Sequence, residues 1–156
     1  MSIANYLTKE HRECDDIFAK AEGAAAKGDF VATKEEFLNF ADETLLHFKK
    51  EEEEFFPLFE EITGSEDGPT MVMKFEHEQV RGLMGKMAEA VENEDKDAYL
   101  SLAESMMILL QQHNMKEEQM LYAMADRVVD GSKSQELIDK MEEIKLWESC
   151  SLMHAL

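Results

Sequence analysis

Apolar positions recur at three- and four-residue steps along nearly the whole chain, the spacing of one buried face on a helix. Leu7, His11, Cys14, Asp15, Phe18, Ala21 and Ala25 share such a face. Ser2 is a good N-cap and Gly28 a stop, which predicts a first helix over about residues 2–27. Asp29 can cap a second helix of about 30–62, with Phe37, Phe40, Thr44, His47, Glu51, Phe55 and Leu58 inward and Pro57 placed to kink it near its end. The turn formers of Thr63-Gly-Ser-Glu-Asp-Gly68 predict a loop, and Pro69 suits the first turn of a third helix, about 69–93, carrying Met73, His77, Val80, Met84, Met87 and Val91 on one face. A short acidic turn, Asn93 to Lys96, leads to a fourth helix of about 97–129, ended by Gly131 and Ser132. A last amphipathic segment, about 134–148, holds Leu137, Ile138, Met141, Ile144 and Trp147. It reads as an accessory helix or as the contact of a homodimer.

Four long helices with short connections pack most simply as an antiparallel up-down four-helix bundle. The expected fold is therefore all-α: a bundle over residues 1–130, with an accessory helix and tail over 131–156. A chain of 156 residues makes about one domain with a proper core. The formal charge of −19, with no basic run, argues against nucleic acid and anionic membranes as partners. Apolar runs such as Met106–Leu110 are too short to span a bilayer, and the N-terminus lacks the basic and apolar regions of a secretory signal. Cys14 and Cys150 form no CxxC, so neither a disulfide framework nor a zinc-ribbon spacing is present. These features predict a soluble, cytoplasmic protein.

The chemistry lies in a repeat. His11 to His77 and His47 to His113 are both separations of 66 residues. Around them Glu10-His11 maps onto Glu76-His77, and His47-x-x-Lys50-Glu51-Glu52 onto His113-x-x-Lys116-Glu117-Glu118. In each HxxxE the imidazole and the carboxylate lie on one helix face, one turn apart. In an antiparallel bundle His11, His47, Glu51, His77, His113 and Glu117 converge at one level. Two carboxylates can each bridge two cations, and four imidazoles complete a mixed nitrogen and oxygen shell suited to iron, zinc or manganese. A lone histidine on an apolar face is more often a core residue than a ligand. Four at matched levels change that balance, because burying four imidazoles and two carboxylates without a cation is costly. Two other metal motifs fail: no histidine has Glu three residues before it, and His77-Glu78-Gln79-Val80 is followed by Arg81 rather than by the second histidine of HExxH.

The motifs HRxCD, HFxxEExxFFP, EHExxR and HNxxEE, in that order over residues 3–128, resemble the hemerythrin-like (HHE cation-binding) domain. The resemblance implies a non-haem centre of two iron ions, with His11, His47, His77 and His113 as nitrogen ligands and Glu51 and Glu117 as bridging carboxylates. It implies a small diatomic or peroxide ligand: oxygen, peroxide or nitric oxide. It also allows iron handling or iron and oxygen sensing through a partner, including an iron–sulfur repair role. Zinc and manganese stay open on the residues alone. The oxygen-carrying members have HxxxH on helix three and HxxxxD on helix four. Here Met73 and Arg81 flank His77 at four residues, and helix four has HxxxE. With fewer histidines than that pattern, the resemblance implies one iron with an open or water-filled position.

Other residues carry weaker signals. Glu51 to Glu54 is a charge run, mostly a solvated face, although Glu54 shares a face with His47. Asp15 and Arg81 hold matched positions one turn after His11 and His77, where they would hydrogen-bond the ligands or one another. Cys14 either faces the centre and tunes its redox chemistry or is small core packing, which is the commoner case. The 12 methionines read as core filler, and His154 as tail.

Overall fold

The computed structural model describes residues 1–146, so Trp147, Cys150 and His154 lie outside the described residues. Those residues form helices and no strand: α1 (Ile3–Ala26), α2 (Phe30–Lys50), α3 (Phe56–Thr63), α4 (Pro69–Glu92), α5 (Lys96–Lys116), α6 (Ala123–Val128) and α7 (Gly131–Glu143). A π-helical turn, Glu51–Phe55, joins α2 to α3, and a second, Glu117–Tyr122, joins α5 to α6. The long second and fourth helices are thus each interrupted at the glutamate of HxxxE.

Long-range hydrogen bonds fix the antiparallel order. Glu10 reaches His47 and Lys50 across α1 and α2, while Glu76 reaches His113 and Lys116 across α4 and α5. Ala4 and His11 of α1 meet Asp126 and Glu118, respectively. Thr70 and His77 of α4 meet Glu60 and Glu52. Across α1 and α2 Tyr6 also meets Lys50, so there, as in the last two sets of bonds, one residue number falls as the other rises, in keeping with an up-down four-helix bundle.

The duplication extends to the turns between helices. Ser2, Asp29 and Asp95 are N-caps whose side chains accept from Asn5, Ala32 and Ala98 backbone N–H groups at 3.0–3.1 Å. Just before the second and third of these caps, Gly28 (φ 76°) and Glu94 (φ 50°) both adopt the left-handed conformation, 66 residues apart. Glycine adopts it freely, whereas glutamate does so at a cost of about 1–2 kcal/mol.

Two apolar clusters fill the bundle. One gathers Phe18, Phe37, Phe40, Phe48, Met84, Tyr99 and Met106, among others; the second gathers Ile3, Leu7, Phe55, Phe56, Met73 and Tyr122 with Leu137, Ile138 and Met141 of α7. The histidine and glutamate level lies between them. The apolar face of α7 is therefore spent within the chain. Three expectations change here. Gly131 does not end the fourth helix, which closes at Val128; it opens α7, whose cap is Asp130. Leu58 is only half-buried while Phe56 and Phe59 are buried, because the extra residue of the π turn advances the helix phase by one position. Met73, Met84, Met87, Met106 and Met141 fill the core, but Met71, Met107, Met115, Met120 and Met124 are exposed, so methionine content was not core content.

Candidate metal centre

His11, His47, His77, His113, Glu51 and Glu117 come together between the two clusters, each with 3% or less of its surface exposed. They form two overlapping donor sets: His11, His47, Glu51 and Glu117, and His77, His113, Glu51 and Glu117. Within each set the donor atoms lie within 4.8 Å of one another, and the two glutamates belong to both. Each Nε2 points at an inner carboxylate. His11 and His113 lie 3.1 Å from Glu117 Oε1, while His47 and His77 lie 3.2 and 3.3 Å from Glu51 Oε1.

The other ring nitrogen is held from outside. Nδ1 of His47 meets Glu10 at 2.9 Å, that of His113 meets Glu76 at 2.8 Å, that of His11 meets Glu118 at 2.7 Å, and that of His77 meets Glu52 at 2.6 Å. A carboxylate accepting from Nδ1–H fixes the tautomer, so the Nε2 lone pair is presented inward. Cations brace the outer carboxylates in turn: Lys50 on Glu10, Lys116 on Glu76, Arg12 on Glu118 and Arg81 on Glu52. The repeat is exact in pattern and varied in detail. Arg12–Asp15 of α1 becomes Glu78–Arg81 in α4, with the guanidinium reaching the outer glutamate from either end of the pair.

Electrostatics show what this cluster lacks. Six carboxylates (Glu10, Glu51, Glu52, Glu76, Glu117, Glu118) face four permanent cations (Lys50, Lys116, Arg12, Arg81). Protons on His47, His77 and His113 offset that excess of negative charge. Burial depresses the basicity of His113, but the nearby Glu117 carboxylate and the hydrogen bond to Glu76 outweigh it and carry the pKa up to about 9. The same contest lifts His47, chiefly through Glu51 and Glu10, and His77, through Glu51 and Glu52. Burial would raise the carboxyls of Glu10, Glu52 and Glu76, yet their histidine and cation partners hold them below the ordinary value. Glu117 is likewise held well below that value, against its burial, by the His113 and His11 imidazoles.

Four buried atoms at this level have no hydrogen-bond partner: Glu51 Oε1, Glu117 Oε2, His77 Nε2 and His113 Nε2. Orphaned donor atoms of this kind, on carboxylate and imidazole, fit a cation of the iron, zinc or manganese class. Aromatic rings shut out water on that side. Phe48 stacks on His77 at 3.7 Å between centroids and Phe56 lies 5.6 Å from the same ring.

The residues that sequence reading placed around the six fare unevenly. Arg81 braces Glu52 rather than touching His77 directly. Asp15, half exposed, contacts Arg12 at 3.5 Å and reaches the centre only through Arg12 and Glu118. Glu54 turns away and lines a surface groove with Pro57, Leu58, Lys133 and Leu137. Cys14 is buried and in neither donor set; desolvation pushes its thiol up to about 11, so it is a protonated core residue at neutral pH. Sequence reading passed over Glu10, Glu52, Glu76 and Glu118 as contacts, although all four stand in the repeated motifs beside the ligand histidines and glutamates. It also passed over Tyr122, which no repeat marks.

The model of the hemerythrin HHE cation-binding domain family matches residues 2–125, the four-helix bundle almost to its end. No curated protein and no solved structure matches the chain.

Proposed function

The chain belongs to the hemerythrin HHE cation-binding domain family, and we propose that its buried cluster holds two iron ions at which oxygen, peroxide or nitric oxide binds or reacts. One observation carries this reading: Glu51 and Glu117 are shared by two complete donor sets, each closed by its own pair of imidazole nitrogens. In this reading His11 and His47 would hold one ion and His77 and His113 the other, with Glu51 and Glu117 available to both. Two ferrous ions can each supply an electron to a bound diatomic or peroxide.

The chain's own residues prepare the site for that use. The outer carboxylates keep four Nε2 lone pairs pointed inward. Phe48 and Phe56 keep water from the His77 side. Over that side lies a cavity of about 470 Å³ lined by Leu45, Lys49, Glu52, Glu53, Arg81, Met84 and Leu146. The Arg81–Glu52 pair forms its inner wall and separates it from His77.

The test is to load the protein with ferrous iron without air, admit oxygen, and record the visible spectrum before and after degassing. Either a reversible band or rapid conversion to the diferric form supports the reading. Weak, exchangeable iron without response to oxygen, peroxide or nitric oxide would replace it with iron handling or sensing through a partner. Glu51→Ala and Glu117→Ala each abolish two-iron loading, and stoichiometric iron in both variants would end the assignment.

A further inference from the structure

The two donor sets are unequal. Tyr122 stands five residues after Glu117, across the π turn, and its fully buried ring brings the phenol oxygen against the two shared glutamates and the two histidines of the first set. That oxygen lies 2.5 Å from Glu51 Oε2, 3.1 Å from Glu117 Oε1, 3.2 Å from His11 Nε2 and 3.4 Å from His47 Nε2. A phenol has one proton to donate, and Glu51 Oε2, the nearest carboxylate oxygen, accepts that hydrogen bond. The remaining close approaches have the spacing of a coordination shell. Donors at right angles around one cation, with bonds of about 2.0–2.2 Å, stand about 3 Å apart. The remaining three separations of Tyr122, 3.1, 3.2 and 3.4 Å, lie close to that value. At the matched position of the first repeat the residue is Phe56, which has no oxygen, and the two orphaned imidazole nitrogens, His77 Nε2 and His113 Nε2, belong to the second set alone.

We propose that Tyr122 is a fifth donor, binding as phenolate to the cation held by His11 and His47, while the His77 and His113 position has only four protein donors. Coordination forms one oxygen–metal bond and releases the phenol proton to solvent, with no change in oxidation state. The first position is then the more fully filled by protein, and an exogenous ligand is favoured at the second, beside Phe48 and Phe56. This inference rests on the two-iron reading above.

The experiment compares the wild-type chain with Tyr122→Phe, which keeps the buried ring and removes only the oxygen. Both are loaded with ferrous iron without air, oxidised with ferricyanide, and measured for iron per chain, visible absorption and resonance Raman scattering. The expected result is a phenolate-to-ferric band with tyrosinate ring modes in the wild type, lost in Tyr122→Phe. One of the two ions is then held at least tenfold more weakly. Tyr6 is engaged with Lys50 and Tyr99 lies in the far cluster, so neither supplies that signal. The wild-type Raman spectrum alone decides the matter if the variant fails to fold. Two irons without tyrosinate modes would overturn the inference and leave the two-iron reading intact. One iron in the wild type and two in Tyr122→Phe would also overturn it, because the phenol would then occupy the place of a cation. Fewer than two irons in both would remove the two-iron reading and this inference together.

Discussion

Replacing Glu76 by alanine removes an outer carboxylate while sparing the six inner donors. Glu76 accepts from His113 Nδ1 at 2.8 Å and is 13% exposed; its brace, Lys116, is 41% exposed and stays solvated when the glutamate goes. A hydrogen bond to a charged partner contributes about 1.5–3 kcal/mol. At about 1.4 kcal/mol per decade, that is about tenfold to a hundredfold in metal affinity. Removing outer carboxylates from histidine–metal sites costs the same range. A water can enter where the glutamate was partly exposed, so the expected loss is nearer tenfold. Glu76→Gln keeps a neutral acceptor and loses less. The assay is a competition titration against a chromophoric chelator, with Glu54→Ala as the control, since Glu54 lines the groove toward α7. The reasoning is refuted if Glu76→Ala changes affinity by less than twofold, or if Glu54→Ala weakens binding as much.

The matched substitution in the first repeat has a different consequence. Glu10→Ala strands Lys50, whose side chain is 6% exposed, and costs about 3–5 kcal/mol of stability; Glu10→Ala with Lys50→Met recovers most of it, and equal melting temperatures for the single and double variants would contradict this. The metal-free chain also has a defined pH response. Because the raised His47, His77 and His113 stabilise fully below about pH 6.5 and lose that contribution as pH rises through the folded values (about 9 for His113), its melting temperature falls between pH 6.5 and 9. On the acid side the lowered carboxyls of Glu10, Glu52, Glu76 and Glu118 stabilise above about pH 4.5 and lose that contribution as pH falls through their folded values. In the metal-loaded protein the alkaline decline disappears, since cations replace those protons; parallel thermal melts that decline alike would refute it.

The helical periodicity carried the fold, and the 66-residue repeat carried the convergence of six inner side chains, because both depend on spacing along regular helices. What spacing missed has a common geometry. Glu10, Glu52, Glu76 and Glu118 adjoin a ligand in sequence, so an amphipathic reading turns them about 100° away, onto a face taken as solvated. In a bundle that flank faces the neighbouring helix, and each meets a histidine there. Tyr122 was hidden for a related reason. Five residues after Glu117 an α-helix has turned about 140° off the face, and only the wider π turn returns the side chain to the same side. Pro57 is not the cause of such turns, since the second, Glu117–Tyr122, is followed by Ala123. Both begin at an inner glutamate. The Glu54 expectation failed at the same place, for it assumed that the α-helical phase of His47 continues past Glu51.

The most direct measurement is metal content together with X-ray absorption fine structure on fully iron-loaded protein. The account predicts two irons per chain, a mixed nitrogen and oxygen shell without sulfur, and a second iron a few ångströms from the first. One iron per chain, or two with no iron–iron scattering, would contradict it.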